Sequence, residues 1–226
     1  MSVSSISSVK CILFDLDGTL IDTAPDMVNA LNTLLQEEGR FPLPYQIGRS
    51  VVSHGSPALL ELGFGNNLSL DNNERIRTRF LDLYAQNLCV DTRLFTGMEK
   101  VLNYLENSGV CWGIVTNKPK RFTLPLLEQM GLHSRACSIV CGDTLTKNKP
   151  DPEPMLYALA QCGCKAENSL YVGDAQRDIE AGRDANMTTL LALFGYIANE
   201  DKVDSWGADI KIKHPVDIIE VLEAYN

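Results

Sequence analysis

Six short apolar runs punctuate this chain: Val9–Phe14, Cys111–Thr116, Cys137–Cys141, Leu170–Val172, Thr188–Phe194 and Ile210–Ile212. The first is continuously apolar and β-rich, as a strand buried on both faces of a parallel sheet must be. Between the later runs, Met98–Asn107, Arg121–Met130, Pro152–Gln161, Arg177–Ala185 and Pro215–Tyr225 show the three-to-four-residue apolar spacing of crossover helices. The alternation predicts βαβ units and a doubly wound, mostly parallel α/β sheet. From Thr23 to about Phe95 the rhythm changes to helical periodicity without a convincing buried strand. Helices are expected at Ala24–Glu38, Pro57–Leu62 and Asn72–Asn87, with breaks at Gly39–Pro42 and Gly63–Asn67, so this stretch reads as an inserted helical module.

A chain of 226 residues with 45% hydrophobic content can bury a substantial core. The net charge of −9, with no basic run, argues against nucleic acid or an anionic membrane as partner, and an anionic substrate would need local positive charge. No apolar stretch approaches the roughly 20 residues of a membrane span. The opening MSVSSISS is polar and lacks an apolar targeting segment, so it reads as a short disordered lead-in to a cytoplasmic protein. Seven cysteines, several within strand-like runs, are expected to be reduced, and without a CxxC pair a structural zinc site is not expected.

Chemistry concentrates where the apolar runs end. Asp15 and Asp17 bracket Leu16 just after the first run, before the turn at Gly18. Two carboxylates held this close repel unless a cation or a shared proton intervenes. Alone the pair is weak, since acids at strand ends also cap helices. Its companions strengthen it: Thr116-Asn117 closing WGIV, Lys149 in KNKPDP, and Asp174 with Asp178 in YVGDAQRD. A carboxylate attacking phosphorus needs the repulsion between two anions suppressed, as a bridging magnesium ion does, and Asp174 can complete an oxygen-rich shell. A hydroxyl, a backbone N–H and a lysine can cradle the phosphoryl oxygens.

On DLDGTL, IVTNKP, KNKPDP and VGDAQRD, in that order, the chain resembles the haloacid dehalogenase superfamily over nearly its whole length. The intervening helices are similar to the mobile helical cap (type C1) of its phosphoglycolate phosphatase-like branch. The resemblance implies a Rossmann-like catalytic core of residues 1–22 and 96–226 and a cap of residues 23–95. It implies that Asp15 is the nucleophile, forming an aspartyl-phosphate, and that Asp17 protonates the leaving oxygen and then activates water. It further implies Mg²⁺ on Asp15, Asp174 and the Asp17 backbone carbonyl, Asp178 behind these ligands, and phosphate binding by Thr116, Asn117 and Lys149. Only Lys149, not Lys147, precedes proline as the family pattern requires. The dehalogenases lack the acid at Asp17, so a phosphomonoesterase of a small metabolite, monomeric or homodimeric, is expected. Mutases of the β-phosphoglucomutase type share these motifs and remain an alternative.

For the substrate, Ser53-His54-Gly55-Ser56 precedes a helix start where backbone amides can meet an anion, and His54, Gly55 and Arg49 are candidates for reading the leaving group. A histidine or arginine there is also commonly a surface residue. The stretches WGIVTNKPKRF, LFTGM, KPDPEP, LFGYI and SWGADIKIKHP are similar to the N-acetylmuramic acid 6-phosphate phosphatases. Both substrate types place a carboxylate near a phosphomonoester. Arg121-Phe122 is a candidate for lining the cleft below the cap, though Phe122, like Trp206, reads first as a packing residue, and Asn186 reads as an asparagine tolerating a left-handed helix end.

Overall fold

The first strand, β1 (Cys11–Phe14), is buried at every residue and divides its side chains between two apolar layers. Ile12 and Phe14 enter one cluster, Cys11 and Leu13 the other, as the two-residue period of a strand requires. The computed structural model describes residues 8–65, 70–198 and 201–225. After β1 come β2 (Ile21–Asp22), α1 (Ala24–Glu37), α2 (Tyr45–Arg49), α3 (Gly55–Phe64), α4 (Leu70–Gln86) and β3 (Arg93–Leu94). Then follow α5 (Met98–Asn107), β4 (Cys111–Val115), α6 (Lys120–Gln129), β5 (Ile139–Val140), α7 (Glu153–Cys162) and β6 (Ser169–Gly173). The chain closes with α8 (Gln176–Asp184), β7 (Thr188–Ala192), β8 (Ile210–Ile212) and α9 (Asp217–Ala224).

The six-stranded sheet has the order β5-β4-β1-β6-β7-β8, and every neighbouring pair is parallel. The chain winds outward from β1 to β4 and β5, then crosses back to β6 on the other side of β1. The winding therefore reverses at β1, where the carboxyl edge of an open α/β sheet forms its crevice. One layer carries Val101, Leu102 and Leu105 of α5, Leu126 and Leu127 of α6, and Ile218 and Leu222 of α9. The other carries Met155, Ala158 and Leu159 of α7 with Ala181 of α8.

Between β2 and β3, helices α1, α3 and α4 pack through Leu31, Leu34, Leu59, Leu60, Ile76 and Phe80, continuous with the first layer. The segment is fastened where it leaves and rejoins the sheet domain. There β2 pairs antiparallel with β3, and the buried Asp26 carboxylate accepts from the backbone N–H groups of Val90, Asp91 and Thr92 at 2.9–3.2 Å and from the Thr92 hydroxyl at 2.8 Å. Such a carboxylate satisfies donors that would otherwise be buried unpaired.

Several elements differ from expectation. Helix α2 and the β2–β3 ribbon were not expected, because five-residue and two-residue elements are too short to show a period. The run Cys137–Cys141 shrinks to β5, an edge strand with only β4 to pair with. The expected reduced state does not hold for all cysteines. Cys137, just before β5, and Cys162, at the end of α7, form a disulfide, because α7 packs beside β5 and brings their Cα atoms to 5.7 Å. Burial pushes the neighbouring Cys11 thiol far above its ordinary range. Asn186 does adopt a positive φ, of 59°. Phe122 and Trp206 are buried as packing residues. The break at Gly63–Asn67 is described as far as Gly65, which ends α3 at φ 77°; Asn66 and Asn67, like residues 1–7 of the lead-in, lie outside the described residues. Among the described residues no helix is long and apolar enough to cross a membrane.

Candidate active site

Four chain segments deliver side chains to the reversal point. Asp15 follows β1, Asp174 follows β6, Asp178 lies in the first turn of α8, and Lys149 lies between β5 and α7. Lys149 Nζ sits 2.7 Å from Asp15 Oδ1 and 2.7 Å from Asp178 Oδ1, and donates to Tyr171 Oη at 2.9 Å. All three charged side chains are at most 3% exposed. Tyr171, on β6, donates onward to the carbonyl of Val115 at the end of β4, on the other side of β1. Asp178 also accepts the Ala175 N–H at 2.9 Å through its other oxygen, so one carboxylate caps α8 and anchors the lysine.

Asp174 lies on the far side of this cluster, without a lysine. Its carboxylate accepts from the Thr19 hydroxyl, the Ser53 hydroxyl and the Tyr196 N–H at 3.3, 2.7 and 2.9 Å. Burial first, then repulsion from Asp15 and Asp178, pushes its carboxyl up to about 7. Burial likewise raises Asp15, with Lys149 opposing. For Asp178 burial acts against the charge, but Lys149 and Arg177 outweigh it and hold the carboxyl low. Gly18, at φ 88°, and Gly195 allow this packing: a Cβ at either would overlap the Asp174 side chain.

Lys149, shared by Asp15 and Asp178, and the nearby Arg177 are two cations against three carboxylates, which leaves negative charge to be balanced. Oxygens of Asp15, Asp174 and Asp178 lie within 4.8 Å of one another. A hard, all-oxygen donor set of this spacing, with one member pushed toward the neutral form for want of a cation, fits a small divalent ion.

Asp17 is held separately. Its Oδ1 accepts from Lys118 Nζ at 2.8 Å and from the Thr23 hydroxyl at 2.5 Å, while Oδ2 takes no hydrogen bond among the described residues. Burial opposes the Lys118 charge, but Asp17 and Tyr84 outweigh it and hold the ammonium protonated. Thr116 Oγ1 accepts the Lys118 N–H at 3.2 Å. The Asn117 side chain is fully engaged, donating to the Lys149 carbonyl and accepting the Lys149 N–H at 3.0 and 3.1 Å. It positions the lysine segment, and only its backbone N–H remains to meet an anion.

Above these groups lies a cavity of about 370 Å³, lined by Asp15, Asp17, Thr116, Asn117, Lys118 and Arg177 below and by His54, Gly55, α4 and the start of α6 around it. His54 and Gly55 therefore reach the site, Gly55 through a φ of 75° that opens α3. Arg49 does not line this cavity. Its guanidinium donates to the carbonyls of Gly195 and Phe194 at 3.1 and 3.2 Å and stacks 4.8 Å from the Tyr196 ring centroid, tying α2 to the loop after β7.

Lys118, Arg177, Ser53, Tyr84 and Tyr171 were not anticipated as site residues. Lys118 and Arg177 stand beside Asn117 and Asp178, but nothing in their sequence context separates them from solvated cations. Arg177 Nη2 donates to the Ser53 carbonyl at 2.7 Å, so the segment ahead of α3 is joined to the strand ends by both Ser53 and Arg177.

The comparisons with known proteins agree with this geometry. The model of the haloacid dehalogenase-like hydrolases matches residues 12–192. An N-acetylmuramic acid 6-phosphate phosphatase of Pseudomonas aeruginosa is 41% identical over 215 residues, 95% of each chain. A phosphoglycolate phosphatase of Xanthomonas campestris pv. campestris is 41% identical over 211 residues, 93% of this chain and 95% of its own. A solved structure described as a "predicted phosphoglycolate phosphatase", from Haemophilus somnus 129pt, superposes with a TM-score of 0.84 at 26% identity, covering 97% of this chain and 99% of its own. With the ordered motifs folded into one strand-end cluster and a family match spanning most of the sequence, the chain belongs to the haloacid dehalogenase-like hydrolases.

Proposed function

We propose that the chain is a magnesium-dependent phosphomonoesterase of the phosphoglycolate phosphatase type. One observation carries the reading: Asp15 is gripped by Lys149 beside two further carboxylates, while Asp17, two residues on, is held by a different lysine with one oxygen free. The two acids are thus equipped for different tasks.

Asp15, Asp174 and the Asp17 carbonyl would hold Mg²⁺, with Asp178 behind them. When bound, the ion neutralises the phosphoryl oxygens and the carboxylate facing them. Asp15 Oδ forms a bond to phosphorus as the bond from phosphorus to the ester oxygen breaks, giving an aspartyl-phosphate. Asp17 gives a proton to the departing oxygen through its free Oδ2, then takes one from the attacking water. Water oxygen bonds to phosphorus, the Asp15 oxygen leaves, and alcohol and inorganic phosphate are the products. Lys149, the Thr116 hydroxyl and the Asn117 backbone N–H surround the phosphoryl group, and Lys118 keeps Asp17 oriented. Residues 23–95 form the cap, whose Ser53 contact with Asp174 marks how closely it approaches the chemistry.

The N-acetylmuramic acid 6-phosphate relative, alike over nearly the whole chain, favours a second substrate for the same machinery. The test of the reaction is phosphate release from p-nitrophenyl phosphate. Asp15→Asn is expected to lose at least about a thousandfold in kcat, as removal of a covalent nucleophile does, and EDTA to silence the wild type until Mg²⁺ is restored. Full activity in Asp15→Asn would overturn the assignment.

A further inference from the structure

Helix α4 carries three arginines at alternate positions, and the structure treats them differently. Arg75 and Arg79 each make a two-pronged ion pair with the end of α1, Arg75 to Glu38 just past it at 2.7 and 2.9 Å and Arg79 to Glu37 at 2.6 and 2.8 Å. Arg77, turned roughly 100° per residue away from both, has no carboxylate partner among the described residues and lines the cavity instead. It begins a face at positions 77, 80, 81 and 84, the spacing of one helix side, and Phe80, Leu81 and Tyr84 line the same cavity. Tyr84 is 2% exposed, with Lys118 Nζ 4.8 Å from its ring centroid, so it packs against the ammonium that holds Asp17. Its ring packs on Phe122 of α6 at 5.5 Å between centroids. Next to Phe122, Arg121 lies over the Phe122 ring, also lining the cavity and also without a carboxylate partner among the described residues.

Arg77 and Arg121 are both exposed residues lining one cavity, and in a chain of net charge −9 they give that cavity the local positive charge an anionic substrate needs. An unpaired arginine on an apolar, aromatic wall suits a carboxylate attached to a ring or branched body, since the guanidinium takes the carboxylate bidentately while the wall takes the carbon skeleton. The volume agrees. At about 370 Å³ the cavity falls in the range of about 300–1,000 Å³ that holds drug-sized ligands, far more than a phosphoryl group with two carbons fills.

We infer that Arg77, with Tyr84 on the same face of α4, is the specificity-determining residue for the leaving group, selecting phosphomonoesters of bulky organic acids, such as sugar acids, over two-carbon acids. The inference rests on the phosphomonoesterase reading and assigns Arg77 no part in phosphorus chemistry.

The experiment measures kcat/KM of the purified protein with Mg²⁺ on N-acetylmuramate 6-phosphate, N-acetylglucosamine 6-phosphate, 2-phosphoglycolate and p-nitrophenyl phosphate. The second sugar phosphate shares the ring but lacks the carboxylate. Wild type is expected to prefer the sugar acid phosphate to 2-phosphoglycolate by at least tenfold. Arg77→Gln is expected to cut the ratio of sugar acid phosphate to N-acetylglucosamine 6-phosphate by about thirtyfold, a charge-assisted bidentate bond's worth, mainly through KM. Arg77→Lys should recover part of that ratio, and Arg75→Gln, whose wild-type side chain pairs with Glu38 outside the cavity, should leave it at the wild-type value. A general loss of fold would lower all substrates together. An unchanged ratio in Arg77→Gln, or a wild-type preference for 2-phosphoglycolate, overturns the inference while leaving phosphomonoesterase activity standing. If wild type releases phosphate from none of the four, the functional reading falls, and this inference with it.

Discussion

The floor and the wall of the cavity are built on opposite principles. On the floor charges are held in pairs: Lys149 bridges Asp15 and Asp178, Lys118 and Thr23 share Asp17, and the Asn117 side chain is locked to the Lys149 backbone. On the wall, Arg77 and Arg121 line the cavity without a carboxylate partner among the described residues. Fully paired buried charges keep one geometry, because removing any member strands another in a low-dielectric site. Unpaired groups on a wall are free to be satisfied by whatever enters. The floor suits one reaction on a constant group, the wall a choice among variable ones.

Breaking the floor should therefore have the largest consequences. Lys149→Met removes the cation between two buried carboxylates and is expected to cost about 3–5 kcal/mol of stability, the usual penalty for orphaning a buried charge. Denaturant unfolding measures it, with phosphate release from p-nitrophenyl phosphate expected to fall at least about a thousandfold. A variant as stable as wild type would show that the pairs are not the floor's organising element. No change on the wall should approach this, since Arg77 and Arg121 leave no stranded partner behind.

Proton and metal dependence sharpen the same contrast. Asp174 is raised from 3.8 to about 7, so the metal-free folded protein holds a proton there that the unfolded chain has released. Stability from this group is present below about pH 4 and is lost as pH rises through 7, by at most on the order of 4 kcal/mol. The proposed Mg²⁺ would need the carboxylate ionised and so would compete with that proton. Thermal unfolding of EDTA-treated protein should show the decline, and added Mg²⁺ should raise Tm more at pH 8 than at pH 5.5. An equal rise at both pH values would remove Asp174 from the ion's ligands.

The same division explains what was legible in the sequence. The floor residues Asp15, Asp17, Thr116, Asn117, Lys149, Asp174 and Asp178 stand at the ends of apolar runs, and a parallel sheet gathers such ends along one edge whatever the loop lengths. Their convergence was therefore readable. The winding order was expected only as a class, because alternation does not say on which side of β1 a later strand returns. On the wall, Arg121-Phe122 was readable as a cleft-lining candidate, while Arg77 was hidden for a physical reason. Arg75, Arg77 and Arg79 look alike in sequence, and only the packing of α4 on α1 pairs two and exposes the third to the cavity. Lys118 and Arg177 were hidden similarly, since burial separates them from solvated cations. Ser53 and Arg49 depend on how α2 and α3 meet the strand ends, which no local pattern encodes. The Cys137–Cys162 bridge joins residues 25 apart and appears only once α7 lies against β5.

The smallest expected effect falls where floor and wall are joined. Arg49 holds α2 to the carbonyls of Phe194 and Gly195 and stacks on Tyr196, whose N–H in turn supports Asp174. It is partly exposed and faces no substrate, so Arg49→Met should lose about 1 kcal/mol of stability, the worth of hydrogen bonds that water can partly replace. Because the contact sets how the helical segment sits over the strand ends, KM should rise by a shared factor of about three for every phosphomonoester, a loss of uniform binding rather than of discrimination. The ratio between sugar acid phosphate and N-acetylglucosamine 6-phosphate should stay at the wild-type value, in contrast to Arg77→Gln. If Arg49→Met instead changes that ratio, leaving-group reading extends through α2, and the division between a rigid floor and a selective wall must be redrawn to include the loop after β7.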